Sequence, residues 1–341
     1  MNKCEGQKMS ANPLLMGHPL SSTEHARHAL LYMCRIRKFE EAVEDLFGRG
    51  MMHGTMHLSI GQEASPTGMC MALTIQDQIT STHRGHGHCI AKGADLTRMI
   101  AELLGKEIGY CGGRGGSMHI ADVETGNLGA NGVVGGGIPI AAGAALASKM
   151  MKKGTVAVSF FGDGAMNEGA FHEAANLAAI WKLPMILFCE NNKYGMSSST
   201  EKAFAIDNLA DRGKGYGIPG VNVNGNDVVE VYEAAQIAVD RAKKGEGPTL
   251  IIAETYRWKG HSRSDKNLYR TKEEIEEWRL LDPIPKFIAR AIKQKKLTQE
   301  QCDGIQQEAT DAIVAAVNEA VKAKAADPAG LLDAVFKKVS A

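Results

Sequence analysis

The chain has no excess of charge of either sign, because its 39 lysine and arginine residues are balanced by 39 aspartate and glutamate residues. A formal net charge of zero gives no support for a protein that binds nucleic acid or a membrane surface. The seven cysteines are scattered, and no Cys-x-x-Cys pair occurs among them. We therefore expect reduced thiols in an intracellular protein.

The chain also lacks a long hydrophobic run. Its longest nearly apolar stretch, residues 133–147, is rich in glycine and too short to cross a bilayer. Residues 1–22 contain neither the apolar core of a secretory signal nor the arginines of a mitochondrial presequence. We therefore expect a cytoplasmic protein that makes no contact with a membrane.

The most informative segment of this 341-residue chain is residues 156–196. An apolar run at 156–161 is followed by a Gly-Asp-Gly turn, and residues 167–181 repeat apolar side chains at helical spacing. A second apolar run at 185–189 leads into Glu-Asn-Asn. This pattern predicts a strand, a helix and a second strand that is parallel to the first, joined by a right-handed crossover.

Asp163 and Asn192 directly follow these two predicted strands. Open α/β sheets bind ligands at the carboxyl ends of their strands. One anionic and one neutral oxygen donor suit Mg²⁺, and the glycines beside Asp163 allow a bulky anion to approach the backbone. Each piece alone is more often just a tight turn, so only the combination is informative.

Gly162-Asp163-Gly164 together with Asn191-Asn192 resembles the thiamine-diphosphate motif of transketolase-like enzymes. From about residue 29 to residue 283, the chain resembles the α subunits of the thiamine-dependent first component of 2-oxo acid and acetoin dehydrogenase complexes. The resemblance implies an α/β fold, with a parallel sheet flanked by helices and a helical C-terminal extension. It also implies thiamine diphosphate and Mg²⁺ as cofactors.

The resemblance assigns roles to matching positions of this sequence. The metal ligands are Asp163, Asn192 and the backbone carbonyl of Tyr194. The residues at the diphosphate are Arg84, Gly164, Ala165 and His261, and those at the pyrimidine are Gly132 and Val134. The remaining cofactor-binding positions are His83, Gly162 and Gly195. The candidates for proton transfer and carbonyl polarisation at the entrance are His57, His86, His119 and His261.

Taken separately, three of these segments have a simpler interpretation. Residues 81–89 hold three histidines and a cysteine, which could form a soft metal site, although their spacing matches no common zinc pattern. Residues 111–119 are rich enough in glycine to be a flexible linker. His57 or His261 taken alone would more often be a packed or exposed histidine.

The chain holds only half of the active site that the resemblance implies. Thiamine enzymes of this kind need a glutamate that activates the pyrimidine, and a second domain supplies it. The chain contains one cofactor-binding unit and no room for that domain. We therefore expect a β subunit in an α₂β₂ heterotetramer, which passes a two-carbon unit from a small-molecule substrate to a lipoyl-bearing acyltransferase.

The substrate is predicted by resemblance alone. Residues 79–93, 118–122 and 128–131 look most like acetoin-cleaving members, and His83 replaces a tyrosine that is common in the pyruvate enzymes. The loop at 260–265 instead looks like the pyruvate enzymes. We expect acetoin, with pyruvate as the alternative and a branched 2-oxo acid as a weaker one.

Two functions from other classes fit the sequence less well. A nicotinamide dehydrogenase would need a Gly-x-Gly-x-x-Gly turn, and the turn after Phe161 does not match it. A non-catalytic scaffold subunit would be expected to lose Asp163 or Asn192, and both are present.

The flanking segments are predicted to be helical. Thr23 is predicted to cap a helix that ends at residue 47, and Thr271 and Thr298 to begin capping boxes with Glu274 and Gln301. An amphipathic helix is predicted over residues 299–325. We expect an N-terminal extension at 1–22, one cofactor-binding domain at 23–285, and a helical segment at 286–341 packed on the domain or on a partner subunit.

Overall fold

The computed structural model describes residues 16–332, so most of the predicted N-terminal extension and the end of the C-terminal segment lie outside the described residues. A five-stranded parallel sheet has the strand order β1-β2-β3-β7-β6. Its strands are β1 Gln78–Thr80, β2 Ala157–Gly162, β3 Met185–Asn191, β6 Gly220–Asn224 and β7 Thr249–Glu254. A short antiparallel pair consists of β4 Tyr194–Gly195 and β5 Ser198–Ser199.

Helices cover both faces of this sheet. They are α1 Thr23–Gly48, α2 Ala64–Met71, α3 His86–Ala91, α4 Leu96–Leu103, α5 Gly137–Met150, α6 Gly169–Ile180, α7 Thr200–Ala203, α8 Arg212–Gly215, α9 Val228–Lys243, α10 Lys272–Arg279, α11 Pro283–Lys293 and α12 Gln299–Lys322. Among the described residues, no helix is both long and apolar enough to span a bilayer.

The central strands separate two hydrophobic clusters because successive side chains point to opposite faces of a sheet. Phe160 and Phe188 belong to the cluster that contains α1, α2, α4, α9 and α12. Phe161 and Leu187 belong to the other cluster, beneath α5 and α6. Burial on both faces explains why β2 and β3 are continuous apolar runs. The predicted fold class is thus confirmed.

The predicted strand-helix-strand unit is present as β2, α6 and β3. The two strands are parallel neighbours, with Gly162 opposite Glu190. The chain leaves β2 through a 3₁₀ turn at Asp163–Asn167 and begins α6 at Gly169. This register places Asp163 and Asn192 at the same edge of the sheet, as the sequence indicated.

Two predicted helix caps differ from the structure. The cap of α1 is Ser22, whose hydroxyl accepts from the His25 amide, and Thr23 is the first helical residue. Thr271 does cap α10, but the Glu274 carboxylate accepts from the hydroxyls of Tyr194 and Tyr256 instead of returning to the cap. The predicted capping box is therefore wrong there, whereas the box at Thr298 and Gln301 is confirmed.

The C-terminal helix α12 packs on its own chain. It lies against α1 and α4, and its buried side chains, among them Ile305 and Ile313, join the larger hydrophobic cluster. Helix α11 begins at Pro283, close to the predicted boundary at residue 285. The division of the chain into domains stays a prediction.

Candidate active site

A cavity of about 240 Å³ opens at the carboxyl ends of β1, β2 and β3. Ligands of parallel α/β sheets bind at this edge. The cavity wall contains most of the predicted site residues: His83, Arg84, Val134, Gly162, Asp163, Gly164, Ala165, Asn192, Tyr194, Gly195 and His261. The sequence prediction thus placed residues from five separate segments of the chain around one cavity.

Asp163 and Asn192 present oxygen atoms suited to a cation. Burial raises the pKa of the Asp163 carboxyl to about 6, and a bound cation would offset that cost of ionisation. The Asn192 amide nitrogen donates to Gln62 Oε1 at 3.1 Å. Its Oδ1 is buried and has no hydrogen-bond partner among residues 16–332. An unpaired acceptor beside a buried carboxyl fits the predicted metal.

Two buried guanidinium groups provide positive charge near this cavity. Arg84 donates to the carbonyl oxygens of Leu58 and, at 3.1 Å, His261. Arg257 is fully buried, and within the described part of the chain its Nε and Nη1 have no acceptor. Burial and the charge of Arg257 lower the pKa of Arg84 to about 9. Of the two, only Arg84 lines the cavity, and a guanidinium group in that position fits a diphosphate.

Arg257 was missing from the sequence prediction. It lies three residues beyond the end of β7, the strand next to β3. Its Nη2 donates to the Met196 carbonyl at 3.1 Å and to the Tyr269 hydroxyl at 2.8 Å. Its position just past a central parallel strand was the signal that could have identified it.

His57, His83 and His261 form a cluster, in which His83 and His261 line the cavity and His57 lies against both of them without lining it. Their ring centroids are 4.7 Å (His57 to His83), 4.9 Å (His57 to His261) and 5.5 Å (His83 to His261) apart. Burial, reinforced by the charge of Arg84, lowers the three pKa values to about 3, about 2 and about 4 respectively. The three imidazoles are therefore neutral near pH 7 and can exchange hydrogen bonds with an uncharged ligand.

The other histidines of residues 81–89 have different partners. His86 is fully buried, with Nδ1 3.0 Å from Glu40 Oε2 and Nε2 2.9 Å from Ser117 Oγ. His86 therefore lies outside the cavity wall, and its catalytic role stays a prediction. His88 Nε2 lies 3.1 Å from Glu190 Oε2. Because the three histidines face different partners, the soft metal site considered for this segment has no support.

Glu190 lies in the cavity wall and was not identified from sequence. Its carboxylate accepts from the Ser65 hydroxyl and pairs with His88, whose Nδ1 lies 2.7 Å from Ser81 Oγ. These partners come from α2, α3 and the end of β1. A carboxylate in the Glu-Asn-Asn run was visible in the sequence, but its partners were not.

His119 and Gly132 lie beside each other near the cavity. His119 is exposed, and its Nδ1 lies 3.0 Å from the Gly115 carbonyl. A Cβ atom placed on Gly132 would lie 3.4 Å from His119 Nε2. His119 thus borders the segment that contributes Val133 and Val134 to the cavity wall.

A parallel sheet with an acidic group, an unpaired amide oxygen and buried guanidinium groups at its carboxyl edge is typical of α/β enzymes that bind phosphorylated cofactors. A family model described as the dehydrogenase E1 component matches residues 32–329. The chain belongs to the dehydrogenase E1 component family. Membership confirms the resemblance and makes the chain part of a thiamine-diphosphate-dependent oxidoreductase.

Similar proteins carry two kinds of name. The α subunits of acetoin:2,6-dichlorophenolindophenol oxidoreductase of Bacillus subtilis (strain 168) and Cupriavidus necator (strain H16) are 46% and 45% identical to this chain. Each alignment covers 89% of this chain and 92% of the relative. The pyruvate dehydrogenase E1 component α subunit of Rhizobium meliloti (strain 1021) is 40% identical, over 86% of this chain and 84% of the relative.

Proposed function

We propose that this chain is the α subunit of a thiamine-diphosphate-dependent dehydrogenase component that cleaves acetoin. The observation that carries the proposal is the cluster of His57, His83 and His261 next to a cavity whose wall also contains Asp163, Asn192 and Arg84. The names of the two relatives from Bacillus subtilis and Cupriavidus necator support it.

The residues of the cavity divide into groups with separate tasks. Asp163, the Oδ1 of Asn192 and the carbonyl of Tyr194 would hold Mg²⁺. Arg84 and the backbone of Gly164 and Ala165 would hold the diphosphate, with His261 beside it. When bound, thiamine diphosphate would supply a nucleophilic thiazolium carbon and a ring that serves as the sink for the electron pair of the carbon–carbon bond that breaks.

The charge of the site supports an uncharged substrate. A pyruvate site must compensate a carboxylate, whereas an acetoin site must satisfy a hydroxyl and leave no buried charge unpaired. The diphosphate would take up the charge of Arg84, the arginine of the cavity wall. The neutral imidazoles of His57, His83 and His261 are then left to bind the substrate hydroxyl and to move protons during the reaction.

A β subunit would complete the site. Val133 and Val134 lie at the cavity and are 70% and 48% exposed, respectively, which is unusual for apolar side chains beside a cofactor site. We propose that the β subunit covers them and supplies the activating glutamate in an α₂β₂ heterotetramer. A lipoyl acyltransferase would then accept both the two-carbon unit and the electrons released by its oxidation. An artificial dye would accept the electrons alone.

The substrate assignment is tested by reconstituting the chain with a β subunit and measuring reduction of 2,6-dichlorophenolindophenol. The ratio of kcat/KM for acetoin to kcat/KM for pyruvate is expected to exceed one. A ratio clearly below one would replace acetoin by pyruvate and leave the cofactor site unaffected. No turnover of either substrate, with cofactor bound, would favour a non-catalytic scaffold subunit.

Pyruvate remains the second candidate because the loop at residues 260–265 resembles the pyruvate enzymes. In this loop the Asp265 carboxylate accepts from the amides of His261 and Asn267 and from the Tyr269 hydroxyl. The loop therefore fixes the backbone of His261. Its one arginine, Arg263, is exposed and does not line the cavity, so it is not placed to select a carboxylate there.

A further inference from the structure

Glu102 is a buried carboxylate with an unusual set of partners. It lies in the last turn of α4 and is 1% exposed. Its Oε2 accepts from the backbone amides of Cys111 at 2.7 Å and Gly113 at 2.9 Å. Its Oε1 accepts from the amides of Gly115 at 2.7 Å and Gly116 at 3.1 Å. One side chain thus satisfies four amides of a single loop.

The loop has a backbone shape that requires this carboxylate and its glycines together. Gly112, Gly113 and Gly116 have φ angles of 64°, 74° and 64°, which side chains with a Cβ rarely adopt. A Cβ on Gly109 would lie 2.5 Å from Glu102 Oε2. Successive amides in such turns form a concave anion site, and here the occupant is the protein's own carboxylate.

The same loop leads to His119, which lies beside the segment of the cavity wall at Val133 and Val134. Ser117 Oγ is hydrogen-bonded to His86, which is in turn bonded to Glu40 of α1. His119 follows two residues later and lies beside Gly132. Residues 111–119 themselves do not line the cofactor cavity. Order in the loop therefore controls the position of His119 without changing the groups that would hold the cofactor.

We propose that Glu102 is a positioning residue: its carboxylate orders the loop from Cys111 to Ser117, and the ordered loop holds His119 at the entrance for substrate. The ordering of the loop is independent of the reaction. The consequence for turnover rests on the proposed function of the site.

The test compares Glu102→Gln with the wild type in the reconstituted enzyme. A glutamine keeps one acceptor oxygen and turns an NH₂ group towards two of the four amides, which then lose their acceptor. Hydrogen–deuterium exchange read by fragmentation mass spectrometry should be at least tenfold faster at two of the four amides. The value of kcat/KM for the substrate should fall about tenfold or more, with the Kd of thiamine diphosphate within twofold of wild type.

Glu124→Gln is the matched control because Glu124 is exposed and undergoes the same change of charge. It should leave exchange, turnover and cofactor affinity unchanged. Unchanged exchange of the loop amides in Glu102→Gln would overturn the proposal. A parallel loss of cofactor affinity and turnover would also overturn it, because that result indicates general unfolding. If the variant does not fold, hydrogen exchange in the wild type tests the proposal instead. Exchange of the four amides at the rates of an unstructured peptide would overturn the proposal.

If wild-type protein bound no thiamine diphosphate at all, the proposed function would fail. The hydrogen-exchange data on the loop would still test whether the Glu102 carboxylate orders it. The two failures are therefore distinguishable.

Discussion

At the scale of single residues, Gln62 decides which atom Asn192 presents to the cavity. The amide of Asn192 could point either its oxygen or its nitrogen at a cation. Because Gln62 Oε1 accepts from the amide nitrogen, the oxygen, which has no partner among residues 16–332, is the atom left to bind the proposed cation. Partners of this kind orient metal ligands, and their loss typically weakens metal binding roughly 10–100-fold.

Gln62→Leu is therefore expected to weaken Mg²⁺ binding in the presence of thiamine diphosphate by about 10–100-fold. Gln62→Glu keeps an acceptor for Asn192 and should bind Mg²⁺ at least as tightly as wild type. Asp163→Ala, which removes a ligand, should abolish metal-dependent cofactor binding. Isothermal titration calorimetry gives all three results, and an unchanged Kd in Gln62→Leu would refute the role of Gln62.

His28 makes folding stability depend on pH at a position away from the cavity. It is 9% exposed and stacks on Tyr32 at 4.2 Å between ring centroids. Burial and the charge of Arg35 lower its pKa to about 4. The unfolded chain, with a histidine pKa near 6.5, binds more protons than the folded chain between these two values, so stability falls as pH drops from 6.5 towards 4.

His28→Gln should remove about 1 kcal/mol from the difference in unfolding free energy between pH 7.5 and pH 5.5. Urea denaturation of wild type and variant at both pH values gives the change in unfolding free energy with pH for each protein. Comparing these two changes cancels the effect of the substitution on packing, which is the same at both pH values. An identical pH dependence in variant and wild type would show that His28 is protonated equally in the folded and unfolded chains.

At the scale of secondary structure, the first turn of α1 depends on Ser22 rather than on Thr23. The Ser22 hydroxyl satisfies the His25 amide, while Thr23 has already entered the helix. The sequence offered Ser21, Ser22 and Thr23 in succession, and each is a good capping residue. Only the backbone conformation chooses among them.

Ser22→Ala should lower the free energy of unfolding by about 1 kcal/mol, because an amide of the first turn loses its acceptor. Thr23→Ala should change it by less than about 0.5 kcal/mol. Thermal and chemical denaturation of both variants provide the measurement. Equal losses of unfolding free energy in the two variants would show that Thr23 contributes to capping as much as Ser22 does.

At the scale of the whole molecule, the chain by itself is expected to be inactive. Glu190 at the cavity is engaged by Ser65 and His88, and the other glutamate of the wall, Glu168, is exposed. Neither is in place to act as the buried carboxylate that activates the pyrimidine. The purified chain should therefore reduce no dye with acetoin.

Activity should arise on mixing with a β subunit, and light scattering should give the mass of an α₂β₂ heterotetramer. A mixture in which the chain is replaced by Asp163→Ala serves as the control for dye reduction by the β subunit. Full turnover by the single chain would contradict the need for a partner and would direct attention to Glu168.

The sequence by itself determined the parallel strand-helix-strand unit and the meeting of Asp163 with Asn192. Apolar periodicity is local, and the ends of adjacent parallel strands lie at one edge of the sheet whatever the rest of the chain does. It also indicated Arg84 and His261 through motifs. The capping box at Thr298 followed in the same way, since both of its partners lie in one turn.

Only the tertiary structure decided the partners that come from distant segments. Packing of α1 against α3 buries His86 on Glu40 and so removes it from the cavity wall, while His57, His83 and His261 meet from three loops. Glu102 orders a glycine loop whose composition suggested a flexible linker. The Glu274 carboxylate accepts from the hydroxyls of two tyrosines and does not close the capping box with Thr271. Each of these contacts joins a side chain of one element to groups of another, which no local pattern of residues indicates, and burial makes an unpaired polar group costly enough to fix the choice.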